Sequence, residues 1–240
     1  MSIIIYQNNH DIARLMTLKF IAISHSKKNC INIALSGGET PKIIFQNILK
    51  SEKQYLINWS KLHFWWTDER CVQAQSPESN YGEVKRILFQ HVGINPQNLH
   101  PINGEISPKK AALSYKKLLE KHLPIKNNLP YFDWTWLGMG EDGHTASLFV
   151  NDISPNTANW AEVVEHPTSK QRRVTLTLCV LNNSKAIDFI VTGQSKSRML
   201  KKVLEDKIHF IKYPAKLIQP TTCNLIWHID KLAAAHLSSS

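Results

Sequence analysis

An aspartate and a histidine two residues apart, Asp142 and His144, are the side chains whose types and spacing best suit catalysis. A neutral imidazole can accept a proton near neutral pH, and a neighbouring carboxylate can orient it. The pair lies in the stretch Trp136–Phe149, after an apolar and aromatic run, Tyr131–Leu137, that predicts a buried strand. The stretch also contains three glycines, Gly138, Gly140 and Gly143.

Two other interpretations of this stretch remain open from its residues alone. Its glycines fit the G-x-G-x-x-G fingerprint of dinucleotide-binding folds, but that fingerprint usually opens the first βαβ unit and this copy is in mid-chain. Glu162 lies near the acidic position that the fingerprint requires, although no clear strand ends there. The plainer alternative is a tight turn whose histidine caps a helix.

A second candidate site follows the apolar strand Ile31–Leu35, where the sequence continues as S-G-G-E-T-P. Thr40 suits a helix N-cap and Pro41 the first helical position, so a helix is predicted over Lys42–Lys50. Free N–H groups and the helix dipole at such a terminus favour a phosphate. A plain turn between strand and helix is the alternative. The candidate anion-binding residues here are Ser36, Gly37, Gly38 and Thr40.

Charged residues also follow the aromatic strand Leu62–Thr67, which ends in Asp68-Glu69-Arg70. The planar guanidinium of Arg70 suits a phosphate or carboxylate, and Asp68 lies beside it. An ion pair that closes the strand is the alternative.

Two cations, Lys196 and Arg198, lie in the first turn of a predicted helix over Ser195–Leu204. Cations there oppose the helix dipole, which a bound anion would explain. Simple surface exposure is the alternative for each.

Strands and helices alternate along the chain, which predicts one α/β domain over residues 1–240. We expect it to be doubly wound, with a mostly parallel sheet and helices on both faces. The carboxyl ends of parallel strands share one edge, so the segments after four strands should converge there. Those segments are Ser36–Thr40, Asp68–Arg70, Gly138–His144 and Gly193–Lys196. Further strands are predicted at Arg173–Val180 and Asn224–Ile229, and helices at Asp11–Ser26 (with Asp11 as N-cap), Ser107–Leu123 and Asp230–His236.

Composition narrows the function classes. The 240 residues are 42% hydrophobic and contain no apolar run long enough to span a bilayer. A surplus of 29 Lys and Arg over 19 Asp and Glu gives a net charge of +10, which attracts anions. The basic residues are scattered rather than interleaved with aromatics, so no nucleic-acid partner is expected. Four separated cysteines suggest neither a zinc site nor disulfides, and favour a reducing compartment. They are Cys30, Cys71, Cys179 and Cys223.

Motifs spread over nearly the whole chain carry a family resemblance. The most specific is L-G-M-G-E-D-G-H-T-A-S-L-F at Leu137–Phe149. The others, in chain order, are S-G-G-E-T-P (Ser36–Pro41), T-D-E-R (Thr67–Arg70), S-N-Y-G (Ser79–Gly82), R-V-T-L-T (Arg173–Thr177), G-Q-S-K (Gly193–Lys196) and W-H-I-D-K-L-A-A-A (Trp227–Ala235). Together they resemble the motifs of 6-phosphogluconolactonases.

The resemblance implies an α/β fold shared with glucosamine-6-phosphate deaminases, and no cofactor or metal. The implied reaction is hydrolysis of 6-phospho-D-glucono-1,5-lactone to 6-phospho-D-gluconate in the oxidative pentose phosphate pathway. A sugar phosphate is then the expected partner of a cytoplasmic monomer without nucleic-acid or membrane partners.

The resemblance also implies roles for the candidates. His144 acts as general base on a water that attacks lactone C1, and Asp142 orients His144 or the water. The Ser36–Thr40 backbone, Arg70 and Lys196 hold the 6-phosphate. Three further substrate-binding candidates are Arg173, Asp68 and Gly140.

Two residues depart from the family pattern: Glu39 stands beside the phosphate loop, and Val150 replaces the proline usual after S-L-F. A deaminase is the first alternative function, but the glutamate of the deaminase motif is missing from Thr145–Val150. A non-catalytic sugar-phosphate regulator is the second, and such a protein should have lost His144 or Asp142.

Overall fold

The computed structural model of this protein describes residues 1–150, 157–206, 208, 212–220 and 224–238, so Cys223 lies outside the described residues. Its strands are β1 (Ser2–Tyr6), β2 (Ile31–Leu35), β3 (Leu62–Trp66), β4 (Asp68–Arg70), β5 (Leu99–His100), β6 (Ile125–Lys126), β7 (Leu129–Pro130), β8 (Trp134–Leu137), β9 (Ala161–Glu165), β10 (Arg172–Leu176), β11 (Ala186–Val191) and β12 (Asn224–Asp230). Its α-helices are α1 (Asn9–Ser24), α2 (Glu39–Lys50), α3 (Asn80–Val84), α4 (Pro108–His122), α5 (Leu178–Asn182) and α6 (Ser197–Glu205). None of the helices in these ranges is long and apolar enough to cross a membrane.

Within the described ranges, seven strands form the central sheet, in the order β1-β12-β11-β8-β2-β3-β5. All neighbouring strands in this sheet are parallel. A smaller antiparallel sheet, β4-β10-β9, begins where β4 leaves the end of β3. The predicted α/β class with a mostly parallel sheet is confirmed.

The chain changes direction across the sheet between β2 and β8. From β2 it continues to β3 and β5 on one side, whereas from β8 it continues to β11 and β12 on the other. The loops that leave β2 and β8 therefore diverge and open a crevice at the carboxyl edge. Open α/β sheets bind their ligands at such a crevice.

Aromatic side chains pack on both faces of the sheet, because neighbouring residues in a strand point to opposite sides. On one face, Phe20 of α1 contacts Phe64 of β3, with ring centroids 6.2 Å apart. On the other, Trp65 contacts Tyr115 of α4 at 6.3 Å. The Tyr115 hydroxyl donates to the Trp66 carbonyl at 2.8 Å and accepts from its N–H at 3.0 Å. Helices cover both faces, as predicted.

Two predicted helix caps are wrong by a few residues. Helix α1 begins at Asn9, and the side chain of Asn8 accepts from the N–H groups of His10 and Asp11. Helix α2 begins at Glu39 after Gly38, whose φ of +107° a glycine adopts without strain. Asp11 and Thr40 therefore lie inside first turns and are not N-caps.

Two other predicted elements differ from the structure, and one strand was missed. The strand predicted over Arg173–Val180 ends at Leu176, and α5 follows it. Strand β9 contains Glu162 and was not predicted. The helix predicted over Asp230–His236 is a series of turns after β12.

Candidate active site

A cavity of about 520 Å³ opens at the carboxyl edge of the sheet, in the crevice between β2 and β8. Ten of the eleven candidate residues line it. The eleventh, Asp142, does not line the cavity but contacts His144, which does. The predicted convergence of the four strand-end segments is confirmed. The ten lining candidates are Ser36, Gly37, Gly38, Thr40, Asp68, Arg70, Gly140, His144, Arg173 and Lys196.

His144 and Asp142 form a direct pair in the loop after β8. His144 Nδ1 lies 2.5 Å from Asp142 Oδ1, which also accepts from the His144 N–H at 3.1 Å. Burial raises the pKa of Asp142, but the hydrogen bond and charge of His144 outweigh burial and lower that pKa to about 2. Asp142 is therefore a carboxylate near neutral pH. Because a carboxylate can only accept, it keeps the proton of the neutral imidazole on Nδ1 and leaves a lone pair on Nε2.

The shape of this loop depends on two glycines and one strained residue. A Cβ on Gly140 would overlap His144 Nδ1 and come within 2.5 Å of Asp142 Oδ1, so only glycine leaves room for the pair. Gly143 (φ +85°) and Ala146 (φ +48°) are both in the left-handed region, which is costly for alanine. No helix begins between Thr145 and Val150. The dinucleotide fingerprint and the helix-capping histidine are therefore both wrong for this stretch.

The segment after β2 provides backbone rather than side-chain donors. The Ser36 hydroxyl donates to the Trp136 carbonyl at 2.8 Å and contacts the Thr67 hydroxyl at 2.9 Å, so it joins three neighbouring strands. The N–H groups of Glu39 and Thr40, in the first turn of α2, have no partner within the helix, and both residues line the cavity. The Glu39 side chain is 83% exposed and lies 3.8 Å from Lys42 Nζ, which keeps its charge at the rim.

Lys196 reaches the cavity from a 3-10 turn, Gln194–Lys196, that precedes α6. Gly193 begins the turn with φ +93°, and its N–H donates to both carboxylate oxygens of Asp230 at 3.0 and 3.1 Å. Lys196 Nζ lies 3.9 Å from the exposed carboxylate of Glu141. Arg198 is exposed and does not line the cavity, so surface exposure is its correct interpretation.

Strand β4 places Asp68 and Arg70 on one face and Glu69 on the other. Asp68 Oδ2 accepts from the Ser147 hydroxyl at 2.6 Å. Arg70 Nη1 donates to the Glu78 carbonyl at 2.6 Å, while its buried Nε has no hydrogen-bond partner among the described residues. The strand-closing ion pair is therefore the wrong interpretation of Arg70.

Arg173 lies directly opposite Arg70 across the β4–β10 pairing. Its Nε donates to Gln171 at 3.2 Å, and its Nη1 lies 3.4 Å from the Ser147 hydroxyl. Burial, with a further contribution from the charge of Arg70, lowers the pKa of the Arg173 guanidinium. In the described part of the chain neither arginine has a carboxylate within ion-pairing distance. Two adjacent guanidinium groups without carboxylate partners attract an anion.

Asn80 is a site residue that the sequence interpretation missed. It is 3% exposed, lines the cavity, and donates from Nδ2 to the Asp68 carbonyl at 2.9 Å. Glu69 fixes it in place, because the Glu69 carboxylate accepts from the N–H groups of Asn80 and Tyr81 at 2.8 Å each. The motif S-N-Y-G was the available signal, since it carries the family resemblance.

Two further expectations concern a metal ion and Val150. No group of three or more His, Cys, Asp and Glu side chains within the described ranges is placed to hold a metal ion, and the expectation of a reaction without metal or cofactor stays a prediction. Val150 is exposed, and residues 151–156 after it lie outside the described residues.

Comparisons with known proteins indicate the family of this chain. The model of the family described as glucosamine-6-phosphate isomerases/6-phosphogluconolactonase matches residues 9–227. A 6-phosphogluconolactonase from Haemophilus influenzae is 41% identical over 203 residues, which cover 85% of this chain and 86% of that protein. The crystal structure of a protein named devB superposes with a TM-score of 0.95 at 35% identity and 99% coverage of both chains. A 6-phosphogluconolactonase structure from Trypanosoma brucei gives a TM-score of 0.85 at 26% identity, covering 99% of this chain and 98% of that one.

Proposed function

The chain belongs to the family of glucosamine-6-phosphate isomerases and 6-phosphogluconolactonases, and from that premise we propose that it hydrolyses 6-phospho-D-glucono-1,5-lactone to 6-phospho-D-gluconate. One observation carries the proposal: the same cavity is lined by a histidine that can accept a proton and by residues whose donors can bind an anion. The acceptor is His144, held by Asp142, and the anion site is formed by cations and a helix N-terminus. A phosphorylated lactone needs both, at opposite ends of one small molecule.

His144 is the general base of the proposed reaction. Its Nε2 takes a proton from water as the water oxygen bonds to lactone C1, and Asp142 stabilises the imidazolium that forms. The tetrahedral intermediate then breaks its bond between C1 and the ring oxygen. That oxygen takes the proton from His144 Nε2, which restores the neutral imidazole. A lactone is already activated, so one placed base together with correct positioning is sufficient.

The remaining candidates bind substrate in this proposal. The N–H groups of the Ser36–Thr40 segment, Arg70, Arg173 and Lys196 hold the 6-phosphate, since each supplies donors suited to an anion. Binding energy from that remote group positions C1 for attack. Asp68 and Gly140 line the same cavity, which supports a role in contacting the sugar.

The proposal also covers the pathway, the cellular compartment and the oligomeric state. We assign it to the oxidative pentose phosphate pathway and to the cytoplasm, because its substrate is a phosphorylated sugar and Cys30, Cys71 and Cys179 are free thiols. We also propose that residues 1–240 act as one domain and as a monomer. Light scattering after gel filtration tests the monomer: a mass near 27.5 kDa is expected.

The decisive experiment measures hydrolysis of freshly prepared 6-phospho-D-glucono-1,5-lactone, with the spontaneous rate subtracted. We expect a rate proportional to enzyme concentration and a preference for the phosphorylated lactone over D-glucono-1,5-lactone. Glucosamine 6-phosphate serves as the comparison substrate, and no ammonia release is expected from it. Lactone loss at the spontaneous rate would reject the proposal, and ammonia release would indicate the deaminase instead.

A further inference from the structure

Behind His144, two aromatic rings connect the catalytic loop to the tip of the β9–β10 hairpin. The His144 ring lies against Phe149, with centroids 4.9 Å apart. Phe149 lies in turn against His166 at 5.1 Å, in an edge-to-face arrangement with an interplanar angle of 77°. His166 is also within 6.4 Å of the His144 ring. Phe149 is 1% exposed and is therefore closely packed.

The hairpin turn fixes the orientation of the His166 ring. His166 Nδ1 accepts from the N–H groups of Thr168 and Ser169 at 3.3 and 3.1 Å. Two backbone contacts close the same turn: the His166 N–H donates to the Gln171 carbonyl at 2.9 Å, and the Lys170 N–H donates to the His166 carbonyl at 3.0 Å. Because Nδ1 accepts, the neutral ring carries its proton on Nε2.

The charges around His166 favour its neutral form. Burial lowers the pKa of His166, as do the positive charges of Arg173 and Arg70 and a proton on His144, whereas Asp142 raises it. A neutral ring adds no positive charge beside His144, which must itself accept a proton during the reaction.

The hydrogen bond to Asp142 restrains His144 incompletely. The Asp142 side chain is 58% exposed, so water competes for its oxygens. One hydrogen bond also fixes the place of Nδ1 but leaves the ring free to tilt about that point. A ring packed against the imidazole removes this freedom, because the tilt would separate or overlap the two rings.

We propose that His166 is a positioning residue for His144: its ring, fixed by the hairpin turn, holds Phe149 against the imidazole and so keeps His144 Nε2 directed at the substrate. This inference rests on the proposed lactonase function. It also explains why the catalytic loop and the antiparallel β9–β10 hairpin lie side by side, although the hairpin lies outside the central sheet.

Two substitutions of His166 distinguish the contribution of its ring from that of its hydrogen bonds. His166→Asn keeps an oxygen that can accept from Thr168 and Ser169 but removes the ring. His166→Phe keeps a ring against Phe149 but removes the acceptor. Thr168→Ala is the matched control, because it changes a side chain of the same turn and retains the N–H donor.

We expect His166→Asn to lower kcat by about tenfold, a part of the factor that a positioned base supplies, and to change KM less than twofold. The loss should be equal for the phosphorylated and unphosphorylated lactones. His166→Phe and Thr168→Ala should keep most of the wild-type kcat. Wild-type kcat in His166→Asn, or an equal loss in His166→Asn and His166→Phe, would overturn the proposal.

A second measurement does not need turnover. Long-range proton–nitrogen NMR spectra report the protonation site of each imidazole, and His144→Gln identifies the His144 signals. We expect the His144 nitrogens to report a protonated Nδ1 in both proteins, because Asp142 is retained, and the His144 Cδ2–H and Cε1–H signals to shift in His166→Asn, because the imidazole tilts relative to the ring of Phe149. An unchanged His144 pattern in His166→Asn would overturn the proposal even if the protein had no lactonase activity. Failure of the proposed function would instead show as a wild type without lactone hydrolysis.

Discussion

At the scale of single residues, the pair of His144 and Asp142 is the first to test. We expect His144→Gln to lower kcat by about 10²–10⁴-fold, because glutamine cannot accept the proton at neutral pH. Binding of 6-phosphogluconate, measured by calorimetry, should change little, since the phosphate contacts remain. The control is His91→Gln, which changes an exposed histidine that does not line the cavity. Near-wild-type kcat in His144→Gln would show that the water is activated elsewhere, with Asp142 the next residue to substitute.

Lys196 and Arg198 offer a matched pair for the phosphate contact. Lys196→Gln should raise KM for the phosphorylated lactone by roughly 10–100-fold, since a hydrogen bond to a charged group contributes about 1.5–3 kcal/mol. Arg198→Gln removes a neighbouring charge that does not line the cavity, and it should leave KM unchanged. D-Glucono-1,5-lactone, which has no phosphate, should show no difference between wild type and Lys196→Gln. An equal loss on both lactones would reject the phosphate role of Lys196.

Gly37 is required for a contact that only the three-dimensional structure reveals. A Cβ on Gly37 would overlap Asn80 Oδ1, although Asn80 is 43 positions away in the chain. Gly37→Ala should therefore displace Asn80, break its bond to the Asp68 carbonyl, and lower kcat/KM by about tenfold, as for the loss of one hydrogen bond.

The double variant of Gly37→Ala with Asn80→Ala provides the control. If the loss comes from the collision, the double variant should be no worse than Asn80→Ala alone, because the two effects are not additive. Additive losses would show that Gly37 acts independently of Asn80.

At the scale of elements, sequence patterns located the strands of the central sheet more reliably than the elements beside it. Leu62–Trp66 is apolar and aromatic apart from His63, and it lies in the sheet as expected. Strand β9, by contrast, is defined by its hairpin pairing with β10, and its short sequence A-E-V-V-E is neither a continuous apolar run nor strictly alternating. The stretch after Asp230 is rich in alanine but too short to offset the cost of helix nucleation. The Asp230 carboxylate instead accepts from the Ala233 N–H at 2.7 Å and stabilises a turn.

Asp230 also connects the last strand to the turn that presents Lys196. Its two oxygens accept from the Gly193 N–H, so Asp230→Ala should loosen this turn and raise KM for the phosphorylated lactone several-fold while changing kcat little. Asp230→Asn retains one accepting oxygen and should show a smaller effect. Steady-state kinetics of both variants on both lactones test this. A fall in kcat on the unphosphorylated lactone would contradict a role confined to the phosphate turn.

At the scale of the whole molecule, the fold class itself predicted where the site would form. Once the sheet was expected to be parallel, the ends of β2, β3, β8 and β11 had to share an edge, and the cavity lies there. That Arg70 and Arg173 lie opposite each other could not be predicted, because their pairing depends on the register of a second, antiparallel sheet. Likewise, no local pattern signals that His166 lies beside Phe149.

Three histidines cluster near β5, the strand at one edge of the central sheet, and we expect them to make the free energy of unfolding sensitive to acid. His100 is 4% exposed, stacks on Trp65 with centroids 4.0 Å apart, and lies 3.1 Å from His63 Nδ1 through its Nε2. His122, in the last turn of α4, lies 5.3 Å away. Burial, with the charges of His63 and His122, lowers the pKa of His100 to about 4. Burial and His122 also lower the pKa of His63.

The sign of the effect follows from these pKa values. In the unfolded chain a histidine has a pKa near ~6.5, so between about pH 6.5 and pH 4 the unfolded state binds more protons than the folded state. The free energy of unfolding should therefore fall as the pH is lowered through this range, by on the order of 1–3 kcal/mol from His100. His100→Phe keeps a ring against Trp65 but cannot titrate. Urea unfolding at several pH values should give a flatter decline for His100→Phe than for the wild type, because carboxylates contribute equally to both. Parallel curves would show that His100 does not control acid stability.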